Sequence, residues 1–174
     1  LQIKPVYPVE GRLINLVSRL TRFAGMYSKK ALVHSELNNL EEWGYLITLS
    51  HMGSPKKSEL ISELISEFPS GIEVIKRLLS NELAEEYMDP LDRRSKRLKL
   101  TEKGKRVLFE TMFYMKDISS LAFGPLTKAE KQLLLSILEK LDSFHLDHYK
   151  ETRPSDYFGT VETLKNSLGK SSNQ

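Results

Sequence analysis

The stretch DPLDRRSKRLKLTEKG, Asp89 to Gly104, decides how this chain is read. It opens on the turn-forming Asp89-Pro90-Leu91-Asp92 and closes on an alternating Leu98-Lys99-Leu100 followed by Thr101 and Gly104. Residues 83–88 before the turn are short enough for a strand, and residues 95–100 after it end in period-two alternation. The two runs predict a β-hairpin. Its charge is the unusual feature: residues 93–106 hold eight Lys/Arg and one acid, Glu102, a local charge of +7. The remaining 18 basic and 22 acidic residues sum to −4, so a slightly acidic body carries one basic prong. Positive groups packed this closely repel unless something anionic compensates, which is the electrostatic footprint of nucleic-acid binding. The ordinary alternative for a charge run is a solvated surface.

The rest of the composition bounds the class. At 174 residues, 40% hydrophobic and 28% charged, the chain suits one globular domain, or one domain with an added dimerisation element. With no cysteine it has no disulfide framework, no Cys-based zinc site and no thiol redox sensor, which fits a reducing, cytoplasmic setting. No apolar run approaches the roughly 18 residues of a membrane span, so no membrane partner is expected, and no signal-peptide pattern opens the chain. It begins with Leu1 rather than Met, so it is read as lacking its natural start.

Outward from the hairpin, apolar spacing predicts helices on both sides. Residues 9–33 form a long one, with Leu13, Leu16, Val17, Leu20, Phe23 and Ala24 on one stripe and Gly25 as a site of bending or close packing. Residues 36–51 form a second, ending at Gly53, and Ser54-Pro55 reads as an N-cap and first-turn proline of a third carrying Leu60, Ile61, Leu64 and Ile65. Pro69-Ser70-Gly71 interrupts the pattern, with Ser70 as an N-cap. A fourth helix then turns Val74, Ile75, Leu78 and Leu79 inward and Glu73, Lys76, Arg77 and Ser80 outward, so helices three and four read as a helix-turn-helix. Beyond the hairpin, Thr101 caps a fifth helix, and Thr127 to Glu130 is a capping box opening a sixth. Residues 149–174 read as a polar, mobile tail.

This order, mainly α with a small β-hairpin wing, is a winged helix-turn-helix within a helical dimerisation frame. At Asp92 to Gly104 the chain resembles the multiple antibiotic resistance regulator (MarR) family: Asp92-Arg93-Arg94, then Leu100-Thr101-Glu102-Lys103-Gly104, repeats the family's wing pattern at the expected spacing. The resemblance spans residues 9–148, with 36–104 as the winged helix and 9–33 and 105–148 as dimerisation helices. It implies a homodimeric transcriptional regulator, a repressor responsive to a small aromatic effector, bound to double-stranded DNA. A protein-interaction module docking on an acidic partner is the alternative. On the DNA reading, Arg94 enters the minor groove, Asp92 orients its guanidinium, and Arg93, Lys96 and Arg97 reach phosphates or sugar edges. Ser70 and the N–H groups beside Gly71 hold a phosphate, as do Lys76 and Arg77. Glu73 keeps two readings, an acceptor for a cytosine amino group or a solvated acid. The resemblance also places effector contact at Phe23, Met26, Tyr27, Trp43 and Phe113, residues whose spacing equally suits a core.

No enzyme is expected. The adjacent pairs Glu41-Glu42 and Glu85-Glu86 diverge, and no phosphate loop or nucleophile motif is present. No cofactor is expected. His145 and His148 share a helical face at a spacing compatible with a metal, but two ligands do not make a site.

Overall fold

The computed structural model describes residues 8–171. The described residues divide into two compact units, 8–122 and 123–171.

The first unit begins with α1 (Val9–Ala31), which packs on α5 (Glu102–Ala122) and on α2 (Leu40–Met52). The second predicted helix therefore starts at Leu40, not at 36. The Asn39 side chain accepts from the Glu42 N–H at 2.9 Å and caps it, while the Glu42 carboxylate folds back to accept from the Asn38 N–H at 2.8 Å. Gly53, at φ 72°, ends α2 as predicted. A Cβ at Gly25 would meet nothing within 4 Å among the described residues of this chain, so Gly25 serves no close packing within it.

Ser54-Pro55 does not open the next helix. The Pro55 carbonyl accepts from the Leu98 N–H at 2.8 Å, and Lys56 forms an isolated antiparallel bridge with Arg97. This segment is claimed by the hairpin, and α3 (Lys57–Glu63) starts only after it, with the Glu59 carboxylate accepting from the Lys56 N–H at 2.8 Å. The fourth helix, α4 (Phe68–Ser80), starts earlier than expected: Glu67 occupies the N-cap position, and Pro69 lies inside the first turn, where a missing N–H costs nothing. Ser70 is therefore a residue within the first turn rather than the cap. Both α3 and α4 end in Schellman motifs. Ile65 (φ 52°) donates to Ser62 and Ser66 to Ile61; Glu82 (φ 58°) donates to Leu79 and Leu83 to Leu78.

The hairpin pairs β1 (Ala84–Met88) with β2 (Lys96–Leu100) in antiparallel register, Ala84 opposite Leu100 and Met88 opposite Lys96. Thr101 caps α5, accepting from the Gly104 N–H at 2.9 Å while its hydroxyl donates to the Glu82 carbonyl at 2.6 Å. Gly104 is required here, since a Cβ would sit 1.9 Å from the Leu83 carbonyl oxygen. The core is built from Leu37, Tyr45, Leu46, Leu49, Leu60, Ile61, Val74, Ile75, Leu78, Leu83 and Leu98, each almost wholly removed from water. At about 1.5–3 kcal/mol for each large apolar side chain, this burial is what holds the helix-turn-helix and the hairpin together.

The second unit is a helical hairpin of α6 (Lys128–Thr152) and α7 (Tyr157–Ser171). The capping box at α6 forms as predicted: Glu130 N–H donates to the Thr127 hydroxyl, and Thr127 N–H donates to the Glu130 carboxylate at 2.8 Å. The tail expected from residue 149 carries helix: its first residues continue α6 to Thr152, and α7 occupies 157–171. Asp156 accepts from the Gly159 N–H at 2.8 Å and starts α7, and Val161 and Leu164 supply a partly buried apolar stripe. Residues 172–174 of that predicted tail lie outside the described residues.

Candidate nucleic-acid interface

The basic prong is less basic than its sequence. Across the hairpin Lys96 pairs with Glu86 (3.1 Å) and Lys99 with Glu85 (3.0 Å). Along α5 Lys105 pairs with Glu102 (2.6 Å) and Arg106 with Glu110 (3.9 Å). Lys103 reaches Glu36 at 2.5 Å and the Asn81 carbonyl, the C-cap of α4, at 2.9 Å. Arg97 donates through Nε to Asp89 at 2.7 Å and through Nη1 to the Ser54 carbonyl at 2.7 Å. Of the eight cations, only Arg93 and Arg94 have no acidic partner among the described residues, and both are exposed at the tip. Net positive charge is thereby concentrated where the hairpin projects farthest.

Two aspartates shape that tip. Asp92 Oδ1 accepts from the backbone N–H of Arg94 at 3.1 Å, and its carbonyl accepts from the Ser95 N–H at 2.9 Å. The expected contact to the Arg94 guanidinium is therefore replaced by a backbone one: Asp92 fixes where Arg94 leaves the main chain and leaves its side chain free. Asp89, only 2% exposed, organises the base of the loop. It accepts from the Leu91 N–H at 2.9 Å and from Arg97, and its N–H donates to the Ser95 carbonyl at 3.0 Å. The Leu91 N–H above all, with Arg97 beside it, holds the Asp89 carboxyl below its ordinary range. The Ser54 hydroxyl bonds the Tyr87 hydroxyl, which adds to the bonds from Arg97 to the Ser54 carbonyl and from Leu98 to the Pro55 carbonyl in tying the hairpin to the segment between α2 and α3. Asp89-Pro90 was legible as a turn, but Asp89 as the hub of the wing was not.

On α4 the expected contacts sort in the same way. Ser70 is exposed in the first turn. Gly71 is buried, its N–H donates to the Glu67 carbonyl at 2.9 Å, and a Cβ would come within 2.6 Å of both the Ile61 side chain and the Tyr45 hydroxyl. It lets α4 approach α3 and α2, and its own N–H is not free for a phosphate. Glu73 is exposed and paired with Lys76 at 2.6 Å, which holds its carboxyl below the usual range. Arg77 donates through Nε at 2.6 Å to Glu42, a carboxylate only 1% exposed. That pair neutralises a charge inside the core.

Among the residues expected to touch an effector, Trp43 is partly buried and donates to the Thr111 hydroxyl at 3.2 Å. Phe23 stacks on Tyr27 with ring centroids 6.3 Å apart, and Phe23, Met26, Tyr27 and Phe113 are 38–64% exposed. In the second unit, His148 uses both ring nitrogens, one on the Phe144 carbonyl at 2.7 Å and one on the Ser167 hydroxyl at 2.6 Å. It joins α6 to α7, and no group of three or more metal-ligating side chains occurs among the described residues.

Residues 37–104 match the family model described as a winged helix DNA-binding domain. No curated protein sequence matches the chain significantly. Solved structures do. Bordetella bronchiseptica BpsR, whose DNA binding is regulated by 6-hydroxynicotinic acid, superposes with a TM-score of 0.71 at 22% identity, over 79% of this chain and 98% of its own. A mutant MarR from E. coli complexed with operator DNA gives 0.69 at 18%, over 78% and 99%. PcaV from Streptomyces coelicolor, in complex with its natural ligand, gives 0.70 at 18%, over 80% and 97%. At these identities the likeness is one of fold, and it bears out the resemblance first seen in the wing motif. Residues 37–104 thus form a winged helix similar to those of that DNA-binding family, and the chain has the MarR-like fold.

Proposed function

We propose that this protein is a dimeric, DNA-binding transcriptional repressor, resident in the cytoplasm, whose two wings place Arg94 in the minor groove and Arg93 on the flanking phosphates. The observation that carries the reading is the isolation of those two arginines at a tip held by Asp89 and Asp92, while the other cations of the prong are paired. A narrow minor groove focuses negative potential, and an unpaired guanidinium has no intramolecular partner to give up on entering it. Lys96, exposed and paired only across the hairpin, supplies secondary phosphate contact. The Ser70 hydroxyl and Lys76 face the backbone beside α4, and Glu73, already paired, screens Lys76 more than it reads bases. Arg77 and Arg97 act by holding the two reading elements in place.

The dimer is supported by apolar surface that each unit leaves uncovered. On α1, Val9, Leu13, Leu16 and Val17 are all more than half exposed, and α6 buries no residue, leaving Leu133, Ile137, Leu138 and Leu141 at 40–63%. Patches of this extent mark interaction surfaces in soluble proteins, and an isologous two-fold pairing covers them most economically. Phe23, Met26, Tyr27, Trp43 and Phe113 line the effector site, where a small aromatic molecule shifts the dimer toward a spacing that fits DNA poorly. Selection of bound duplexes from randomised DNA tests the whole: it should return a pseudo-palindrome with half-site centres about 10–10.5 base pairs apart or a multiple of that. Binding without sequence preference and without a steep salt dependence would overturn it.

A further inference from the structure

The wing's fixed shape has a cause in a residue that touches no DNA on the reading above. We propose that Asp89 is a positioning residue for DNA binding: with Arg97 it forms a latch that locks the tip loop to the segment joining α2 and α3, and so aims Arg93 and Arg94. The inference rests on the DNA-binding reading and deepens it.

The geometry is continuous. Asp89 Oδ1 takes the Leu91 N–H (2.9 Å), and Asp89 Oδ2 takes Arg97 Nε (2.7 Å) with the Ser95 hydroxyl at 3.5 Å. The Arg97 fork then continues through Nη1 to the Ser54 carbonyl (2.7 Å), next to buried Pro55, whose own carbonyl accepts from Leu98. One carboxylate thus spans the loop from its third residue to the strand that follows it, and one guanidinium carries that hold into the segment joining α2 and α3. Arg93 and Arg94 sit in the loop so enclosed, with no side-chain partner of their own among the described residues. A loop fixed at both ends meets the groove without first losing its conformational freedom, which is how preorganisation raises affinity. Arg97 suits the latch because its planar fork serves two acceptors at once.

Bulk electrostatics makes the opposite forecast. Asp89→Asn adds a positive charge to the wing, so a merely sticky prong should bind DNA more tightly. A positioned tip should bind more weakly, by roughly five- to tenfold, with the salt slope unchanged because no cation that meets a phosphate is lost. Asp89→Glu leaves the charge alone but lengthens the arm, and should show an intermediate loss. The test is equilibrium binding of full-length wild type, Asp89→Asn, Asp89→Glu and Arg94→Ala to a duplex with a central A-tract, across a salt series. The active fraction is fixed beforehand by stoichiometric titration, so that misfolded protein lowers amplitude rather than affinity. Weaker binding by both Asp89 variants at unchanged slope supports the latch. Tighter or unchanged binding by Asp89→Asn overturns it, and if that variant does not fold, unchanged binding by Asp89→Glu overturns it alone. Arg94→Ala separates the two readings: if its loss stands while the Asp89 variants match wild type, only the latch fails; if it too binds like wild type, the wing reading fails beneath it.

Discussion

Arg93 and Arg94 are chemically the same as Arg97 and Arg77, yet the structure gives them opposite surroundings. Arg97 and Arg77 are held on buried carboxylates, Asp89 and Glu42, while the tip pair faces water. The difference predicts different mutational signatures. Arg77→Ala strands the Glu42 carboxylate with only Asn38 for company and should destabilise the fold by roughly 2–3 kcal/mol. That is below the figure for a fully buried pair, since the Arg77 side chain is itself 42% exposed. Chemical denaturation would show it, and a loss of DNA affinity with stability intact would contradict it. These partnerships were illegible in the sequence. The hairpin's cations and Arg77 could be counted, but Glu36, Glu85 and Glu86, and Glu42 for Arg77, lie too far along the chain to be matched to them without the register and the fold. Gly104 was legible, because a glycine closing a hairpin into a helix implies close approach, and the Leu83 carbonyl is what it approaches.

At the scale of elements, the two turns that end α3 and α4 carry a cost. Ile65 and Glu82 adopt left-handed backbone where glycine is usual, and a branched side chain there is strained by about 1–2 kcal/mol. Ile65 is 52% exposed, so Ile65→Gly relieves this strain while giving up the rest of the side chain's burial and adding freedom to the unfolded chain; the terms nearly cancel, and stability should change by less than about 1 kcal/mol in thermal melting. A loss of about 2–5 kcal/mol, as for an unstrained buried truncation, would contradict the strain. The wing has an acid limit of its own. Glu86, held low chiefly by its hydrogen bond to Lys57 and then by Lys96, and Asp89, held low by the Leu91 N–H and Arg97, both titrate below their ordinary values of 4.5 and 3.8. Because folding depresses both, their stabilisation is complete above those ordinary values and is lost as pH falls through the folded ones. The melting midpoint should fall on acidification below about pH 4.5, and a midpoint that rises there contradicts the pairing. Most elements could be placed from apolar spacing and caps, as Thr101 and Thr127 show. The exceptions have local causes: Ser54-Pro55 carries helix-start chemistry but is claimed by hydrogen bonds from Arg97 and Leu98, and α7 hides a short apolar stripe in a polar composition.

For the whole molecule, the uncovered apolar faces of α1 and α6 weigh most. A chain truncated before Thr127 should aggregate or fail to bind a two-half-site duplex, as sedimentation and binding measurements would report; a soluble monomer that binds such a duplex as tightly as the full chain would contradict the dimer. The proposed effector face is the part least accessible to sequence reading, because aromatic and methionine side chains at helical spacing look the same whether they line a core, an interface or a pocket. The proposed DNA recognition, by contrast, is traced to the charge of two residues, Arg93 and Arg94. The most direct test compares Arg94→Ala with Lys105→Ala, two changes of equal formal charge in the same basic segment, for affinity to an A-tract duplex over a range of salt. The account predicts that Arg94→Ala weakens binding by about 1–3 kcal/mol and flattens the salt slope, while Lys105→Ala, paired with Glu102, changes neither. Equal losses from the two variants would mean that the prong binds as a diffuse cloud of charge, and would contradict the claim that its tip is the reading element.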